Sequence, residues 1–237
     1  MKKLCLIFAA LTMFFPVSGR EILDYVPANA ECVLYGNSQL FFLSKVWKIL
    51  RKNKDFQSEI VPKLTFVIPF KELSEFSGKV VAWSCDLSSK TVPTGAVIIF
   101  DSGIAQKVFD RIRNIFQLEG VKGNIWSGRK NGCPAFEASV GRDCKLAMVL
   151  VSNKEIHLAL DNGLSIWKAV KKDNALVAAI DPACAAAITV SGESVKKILP
   201  RDEVGFEISK DVLVKMEAYI GQKKIRFNTT IDISGIE

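Results

Sequence analysis

Residues able to do chemistry are few and scattered in this chain. His157 is its single histidine, flanked by Ile156 and Leu158 in a run that predicts a strand. Any His-based metal centre, or a Cys–His or Ser–His pair, would have to use it. With no partner motif nearby it reads as a structural histidine on a sheet face. Ser-x-x-Lys occurs at Ser127–Lys130, Ser165–Lys168 and Ser194–Lys197. On a helix this spacing sets a lysine amine one turn from a serine nucleophile, as penicillin-recognising enzymes require. No Ser-Asp-Asn or Lys-Thr-Gly follows Ser194, and roughly two such matches arise by chance in a chain this rich in serine and lysine, so the enzyme reading is set aside. No Gly-x-Ser-x-Gly, phosphate-binding glycine loop, His-Glu-x-x-His or calcium loop is present. Asp86, Asp101, Asp161 and Asp181 follow predicted strands or precede predicted helices, where capping and turn formation account for them. Catalytic, cofactor-binding and metal-ligating residues are therefore not assigned, and no cofactor is implied.

The cysteines are equally uninformative as a metal set. Cys32, Cys85, Cys133, Cys144 and Cys184 lie beyond the first twenty residues, with no Cys-x-x-Cys among them. Five is odd, so at least one thiol is unpaired within the chain. Cys133 and Cys144 flank a predicted hairpin turning at Gly141-Arg142-Asp143, in a register that keeps them apart. The default is buried, reduced cysteines packed as small hydrophobes. Cys32 with Cys85, both on predicted strands, is the pair to test first.

What remains are surfaces. Trp126 falls in a Gly/Ser/Asn-rich turn region, where a large ring has little local reason to be. Tyr219 points to the polar side of the last predicted hairpin. Lys45, Lys48 and Lys52, with Arg51, line the outer side of the first predicted helix. Trp126, Tyr219, Lys45, Lys48 and Lys52 are the candidate interaction surface, although scattered surface aromatics and a solvated basic face need no function to explain them.

The elements that must position these residues begin with a leader. Met1-Lys2-Lys3 is a short basic start, Leu4 to Phe15 an apolar run, and Pro16-Val17-Ser18-Gly19 a stretch with small residues before a cut. This is the layout of a secretory signal cleaved after Gly19, and the run is too short to span a bilayer, which needs about 20 residues. The net charge of +7 falls to +5 without Lys2 and Lys3. No basic and aromatic interleaving suited to stacking bases is present, so nucleic acid is not an expected partner. No later stretch is long and apolar enough for a transmembrane helix.

Hydrophobic periodicity then predicts a strand over Val33 to Gly36 and a helix over Leu40 to Lys54 with Phe42, Val46, Ile49 and Leu50 inward. Strands follow over Lys79 to Leu87 and Gly95 to Asp101. Next comes a helix over Ile104 to Gln117, capped by Ser102, with Ile104, Val108, Ile112 and Ile115 as its core stripe and Phe109 and Phe116 beside it. Strands over Asn124 to Ser127, Pro134 to Val140, Lys145 to Ser152 and Glu155 to Leu160 come next, then a short helix over Leu164 to Lys172. Cys184 to Val190 is a strand and Glu193 to Leu199 a helix. The end of the chain alternates most clearly. Val212, Val214, Met216, Ala218 and Ile220, with Ile225, Phe227, Thr229, Ile231 and Ile233, form the expected buried face of a hairpin. Lys215, Glu217 and Tyr219 fall on its wet side.

The order from residue 32 to about 128 is that of a ferredoxin-like β-α-β-β-α-β unit. Pro27-Ala28-Asn29-Ala30 before one strand and Pro182-Ala183-Cys184-Ala185 before another suggest an internal repeat, whose second copy would end before its second helix. Asp24-Tyr25-Val26-Pro27-Ala28-Asn29-Ala30, with Phe76-Ser77-Gly78-Lys79-Val80-Val81 and Ala96-Val97-Ile98-Ile99-Phe100-Asp101, resembles a group of uncharacterised exported bacterial proteins. Those open, after the signal, on a V/L-P-A-D/N stretch leading into a strand. That resemblance carries no activity and transfers no site.

The expectation is thus an α+β protein, with one or more antiparallel-rich sheets and about four helices packed on one side. Residues 1–19 are the signal, 20–130 a first unit and 131–237 a second, partial one ending in the hairpin, the two able to form one continuous domain. The expected function is that of an exported, periplasmic or secreted, non-enzymatic binding or scaffold protein partnered by a cell-envelope component or another protein. The alternatives are a periplasmic hydrolase with an unrecognised active site and a carrier of an apolar ligand.

Overall fold

The computed structural model describes residues 21–60, 73–87, 95–122, 125–128, 146–160, 174–198, 212–221 and 224–232. The leader, the strand expected over 134–140, the helix expected over 164–172, and Cys133 and Cys144 lie outside them.

Among the described residues, alternating and fully apolar runs make ten strands. These are β1 (Cys32–Asn37), β2 (Gly78–Ser84), β3 (Gly95–Phe100), β4 (Glu119–Lys122), β5 (Ile125–Gly128), β6 (Leu146–Leu150), β7 (Glu155–Leu160), β8 (Ala186–Ser191), β9 (Leu213–Ile220) and β10 (Ile225–Asp232). They form a single sheet in the order β10-β9-β8-β1-β2-β3-β7-β6-β5-β4, antiparallel throughout. The fold is α+β, built on one large antiparallel sheet. The sheet crosses the boundary expected near residue 130, because β5 pairs directly with β6. The β-α-β-β-α-β order is present over residues 32–128, but β1, β2 and β3 lie side by side as a meander. A ferredoxin-like unit would split its first two strands apart, so that expectation is corrected.

Helices are α1 (Ser38–Phe42), α2 (Lys45–Leu50), α3 (Ala105–Phe116), α4 (Ala175–Ala178) and α5 (Gly192–Ile198), with a 3₁₀ turn at Glu21–Tyr25. They cover both faces of the sheet, not one. On the first face Phe41, Trp47, Phe76, Val108, Phe109, Ile112 and Phe116 pack on Val80, Ile98, Met148 and Ile156. On the second, Ile22, Leu23, Val26, Leu176 and Ile180 pack on Val33, Tyr35, Val81, Trp83, Val97 and Ile99. β2 and β3 are therefore buried along their whole length, which is why both read as almost unbroken apolar runs. Gly95 stands opposite Trp83; a Cβ there would come within 2.7 Å of the indole, so the strand needs glycine at that point.

The single helix expected over 40–54 is two. Ser44 accepts from the Trp47 N–H (3.2 Å) and donates to the Phe41 carbonyl (2.6 Å), ending α1 and capping α2. The restart rotates the helical phase. Trp47 enters the core and Ile49, expected inside, is 66% exposed. α3 lies where its periodicity placed it, although Ser102 does not cap it. The cap residue is Ile104, and the Ala105 N–H is taken by the Asn153 carbonyl at 3.1 Å.

β1 and β8 are neighbours, the fourth and third strands from the β10 end of the sheet. Each follows a short helical segment and a Pro-Ala turn, and each leads straight into a helix. From that pair β1-β2-β3 and β8-β9-β10 run outward in opposite directions as two like meanders. The Pro-Ala stretches at 27–28 and 182–183 stand before β1 and β8 respectively.

Candidate functional site

Ionisable groups converge where β9 meets the turn before β8. The Asp-Pro step at 181–182 builds the turn. Asp181 Oδ1 accepts the Ala183 N–H at 2.9 Å, and the Asp181 carbonyl accepts the Cys184 N–H at 3.0 Å. Strand alternation puts Lys215, Glu217 and Tyr219 on the face of β9 beneath it. Glu217, only 4% exposed, accepts the Asp181 N–H on Oε1 (3.0 Å) and lies 3.3 Å from Lys215 Nζ through Oε2. The Tyr219 hydroxyl donates to Asp181 Oδ2 at 2.8 Å and lies 3.1 Å from Glu217 Oε2. Lys215 Nζ also donates to the Ala179 carbonyl at 3.0 Å, and the Arg226 guanidinium stands 5.3 Å from the Tyr219 ring centroid. Two carboxylates and two cations thus balance around one phenol.

The electrostatics make this a tie more than a reactive centre. Hydrogen bonds from the Ala183 N–H and then from Tyr219 hold the Asp181 carboxyl below the usual carboxylate range, so it is no general acid at neutral pH. Burial, then the bonds to Asp181 and Glu217, push the Tyr219 hydroxyl up. Burial, then the charges of Glu217 and Asp181, push the neighbouring Cys184 thiol up to about 12. A thiol that stays protonated is a poor nucleophile.

His157 belongs to a second tie. It shares a face of β7 with Glu155, its Nε2 3.4 Å from Glu155 Oε2. The Tyr25 hydroxyl reaches the same oxygen at 3.3 Å, and its ring meets the imidazole edge-on at 4.8 Å. Burial lowers the imidazole pKa against the opposing pull of Glu155. The trio fastens the 3₁₀ turn to β7. Ser194, which opens one Ser-x-x-Lys match, is fully buried. Its N–H donates to Ser191 Oγ (3.3 Å), and its hydroxyl reaches Ser191 Oγ (2.7 Å) and Glu31 Oε2 (3.4 Å). Its work is at the start of α5. Cys32 is a free, buried thiol that burial raises to about 12, and Cys85 Sγ lies 3.7 Å from Asn29 Oδ1; the pair singled out for a bridge is not joined. Among the described residues no group of three or more His, Cys, Asp or Glu could hold a metal ion, and no helix is long and apolar enough to cross a membrane.

The expected interaction surface is dispersed. Lys45, Lys48 and Lys52 are exposed on and just after α2. Trp126 is half-buried, edge-on to Phe109 at 6.0 Å with the Arg113 guanidinium 4.9 Å from its ring, so α3 accounts for it. Tyr219 is bound into the carboxylate cluster. Sequence reasoning missed the opposite side of the same hairpin. Met216 (46%), Phe227 (67%) and Ile231 (59%) are exposed there, whereas Glu217 on the expected wet side is buried. The alternation was legible; the side that faced inward was not. The Asp-Pro turn at 181 was the available signal, since a short acidic turn needs polar partners.

No family model and no curated protein matches the chain. Among solved structures it is similar to the protein TP0453 in its crystal form III, with a TM-score of 0.47, 9% identity, and 91% of this chain and 80% of that chain covered. Crystal form IV of the same protein gives a TM-score of 0.43 at 9% identity, covering 91% and 82%.

Proposed function

We propose that this is an exported, non-enzymatic protein that works at the cell envelope as a binding or scaffold module. The observation that carries this is the terminal hairpin. Lys215, Glu217 and Tyr219 on its ionisable face are spent on internal ties, and its apolar side chains Met216, Phe227 and Ile231 are left outside. Exposed apolar residues gathered on one surface mark interaction sites more often than reaction centres. The basic, short leader supports export.

Expression in a bacterial host tests it. The exported product is expected to begin at Arg20 by N-terminal sequencing. It should fractionate with the envelope, and a Met216→Ser/Phe227→Ser double variant should shift it to the soluble extract. Retention of Met1 on cytosolic material, or an envelope association indifferent to the double variant, overturns the reading.

One observation favours a hydrolase as second reading, namely Asp181, Glu217 and Tyr219 brought within hydrogen-bonding reach of one another. Turnover in an esterase, glycosidase or peptidase screen, lost in Asp181→Asn, would decide for it.

A further inference from the structure

The two ends of the sheet are built differently. β4, at one end, is four residues long, carries Glu119 and Lys122, and shifts register against β5 between Gly120 and Lys122. Shortness, charge and irregularity are devices that stop an edge from pairing further. β10, outermost at the other end among the described residues, has eight residues and no proline. It pairs with β9 without a shift, and all its side chains are exposed. It is a long, regular strand of high β propensity.

The internal arrangement indicates what such an edge is shaped to receive. β8-β9-β10 corresponds to β1-β2-β3 about the β1–β8 pair. The outer edge of β3 is occupied by β7, paired antiparallel. The corresponding edge of β10 has no such neighbour among the described residues.

Backbone parity restricts how a strand could dock there. The Gly221 N–H donates to the Lys224 carbonyl at 2.9 Å, which makes Gly221–Lys224 a hydrogen-bonded pair at the hairpin end. Antiparallel pairs alternate between bonded and non-bonded. Arg226, Asn228, Thr230 and Asp232 therefore aim their backbone groups at β9, and Ile225, Phe227, Thr229 and Ile231 aim theirs outward.

We propose that β10 pairs antiparallel with β10 of a second copy of this chain, about a two-fold axis through Thr229, to give a symmetric dimer with one continuous sheet. Only an axis through a residue brings outward-aimed groups opposite one another. Through Thr229 it sets Phe227 opposite the partner's Ile231, Asn228 opposite the partner's Thr230 and Arg226 opposite the partner's Asp232. An aromatic meets a β-branched side chain and a cation meets an anion, twice each by symmetry. The charged pair falls at a non-hydrogen-bonded position, where side chains stand closest. An axis through Thr230 loses both matches, and one through Asn228 sets Asp232 opposite Lys224 but gives Phe227 only Thr229 in place of the larger apolar Ile231. The axis is perpendicular to the sheet, so Phe227 and Ile231 of both copies share one face and shield each other. This dimer draws on Phe227 and Ile231, which the envelope reading also uses, but association in solution tests it separately from envelope fractionation.

Sedimentation equilibrium of the full chain without its leader, from micromolar to millimolar, tests the pairing. A reversible monomer–dimer equilibrium is expected. Thr229→Pro removes an N–H that β9 does not use, so the far-ultraviolet spectrum should be unchanged while the dimer weakens by about tenfold or more. Asp232→Arg sets like charges across the axis and should weaken it by about tenfold, and adding Arg226→Asp should restore it. A monomer at millimolar concentration, a dimer indifferent to Thr229→Pro, or charge reversals that fail to compensate would each overturn the proposal.

Discussion

His157 shows how little of a residue's work its type discloses. As the chain's one histidine it was the natural place to look for catalysis, and it proves to share a carboxylate with Tyr25 at the junction of the 3₁₀ turn and β7. Its burial has a consequence at the residue scale. Burial on folding lowers its pKa below the usual imidazole value, so between that value and the lower native one the unfolded state binds more protons. Stability is fully present above the unfolded value and is lost as pH falls through the window below it. Urea unfolding should therefore give a midpoint that declines on acidification from neutral, with a slope no steeper than about 1.4 kcal/mol per pH unit from this group. His157→Gln should flatten that slope. Equal slopes in the two proteins would show that other groups set the acid response. The tie was not legible in the sequence, because Tyr25 and Glu155 are 130 positions apart.

At the scale of elements, local pattern was read correctly where one face decides the outcome and wrongly where a distant segment does. α3 lies where periodicity put it because it buries one apolar stripe, and β3 where its unbroken apolar run put it because both its faces are buried. The stretch 38–50 differs because one hydroxyl outweighs helix continuity. Ser44 satisfies the Phe41 carbonyl and the Trp47 N–H inside the core, and an uninterrupted helix would have turned Ile49 inward in place of Trp47. Ser44→Ala should leave the Trp47 N–H unsatisfied, while the Phe41 carbonyl keeps the N–H of residue 44 at 3.0 Å, and should cost about 1 kcal/mol, seen as a lowered Tm, with Ser44→Thr recovering most of it. A Tm unchanged by Ser44→Ala would mean that packing of Trp47 alone sets the break. The last hairpin makes the same point for strands. Its period was legible in the residues, but burial of Glu217 follows from Asp181, 36 positions earlier, which no alternation within the hairpin encodes.

At the scale of the molecule, apolar runs and residue alternation marked most of the strands that the structure describes. The order of the sheet was beyond such patterns. β7 pairs with β3 across an intervening helix and three strands, and that choice rests on matched apolar surfaces, not on local signals. The consequence is a sheet covered on both faces at its centre and progressively bare toward β10, with two core clusters meeting across β2 and β3. Local opening free energies follow buried apolar contact and access to water. Amide exchange should therefore be slowest in β2 and β3, faster through β8 and β9, and fastest in β10. Within β10 it should alternate, with Arg226, Asn228, Thr230 and Asp232, bonded to β9, outlasting Phe227, Thr229 and Ile231 in dilute solution. Exchange rates uniform across the ten strands would mean that the sheet opens as one unit, and the gradient of cover described here would then not govern its stability.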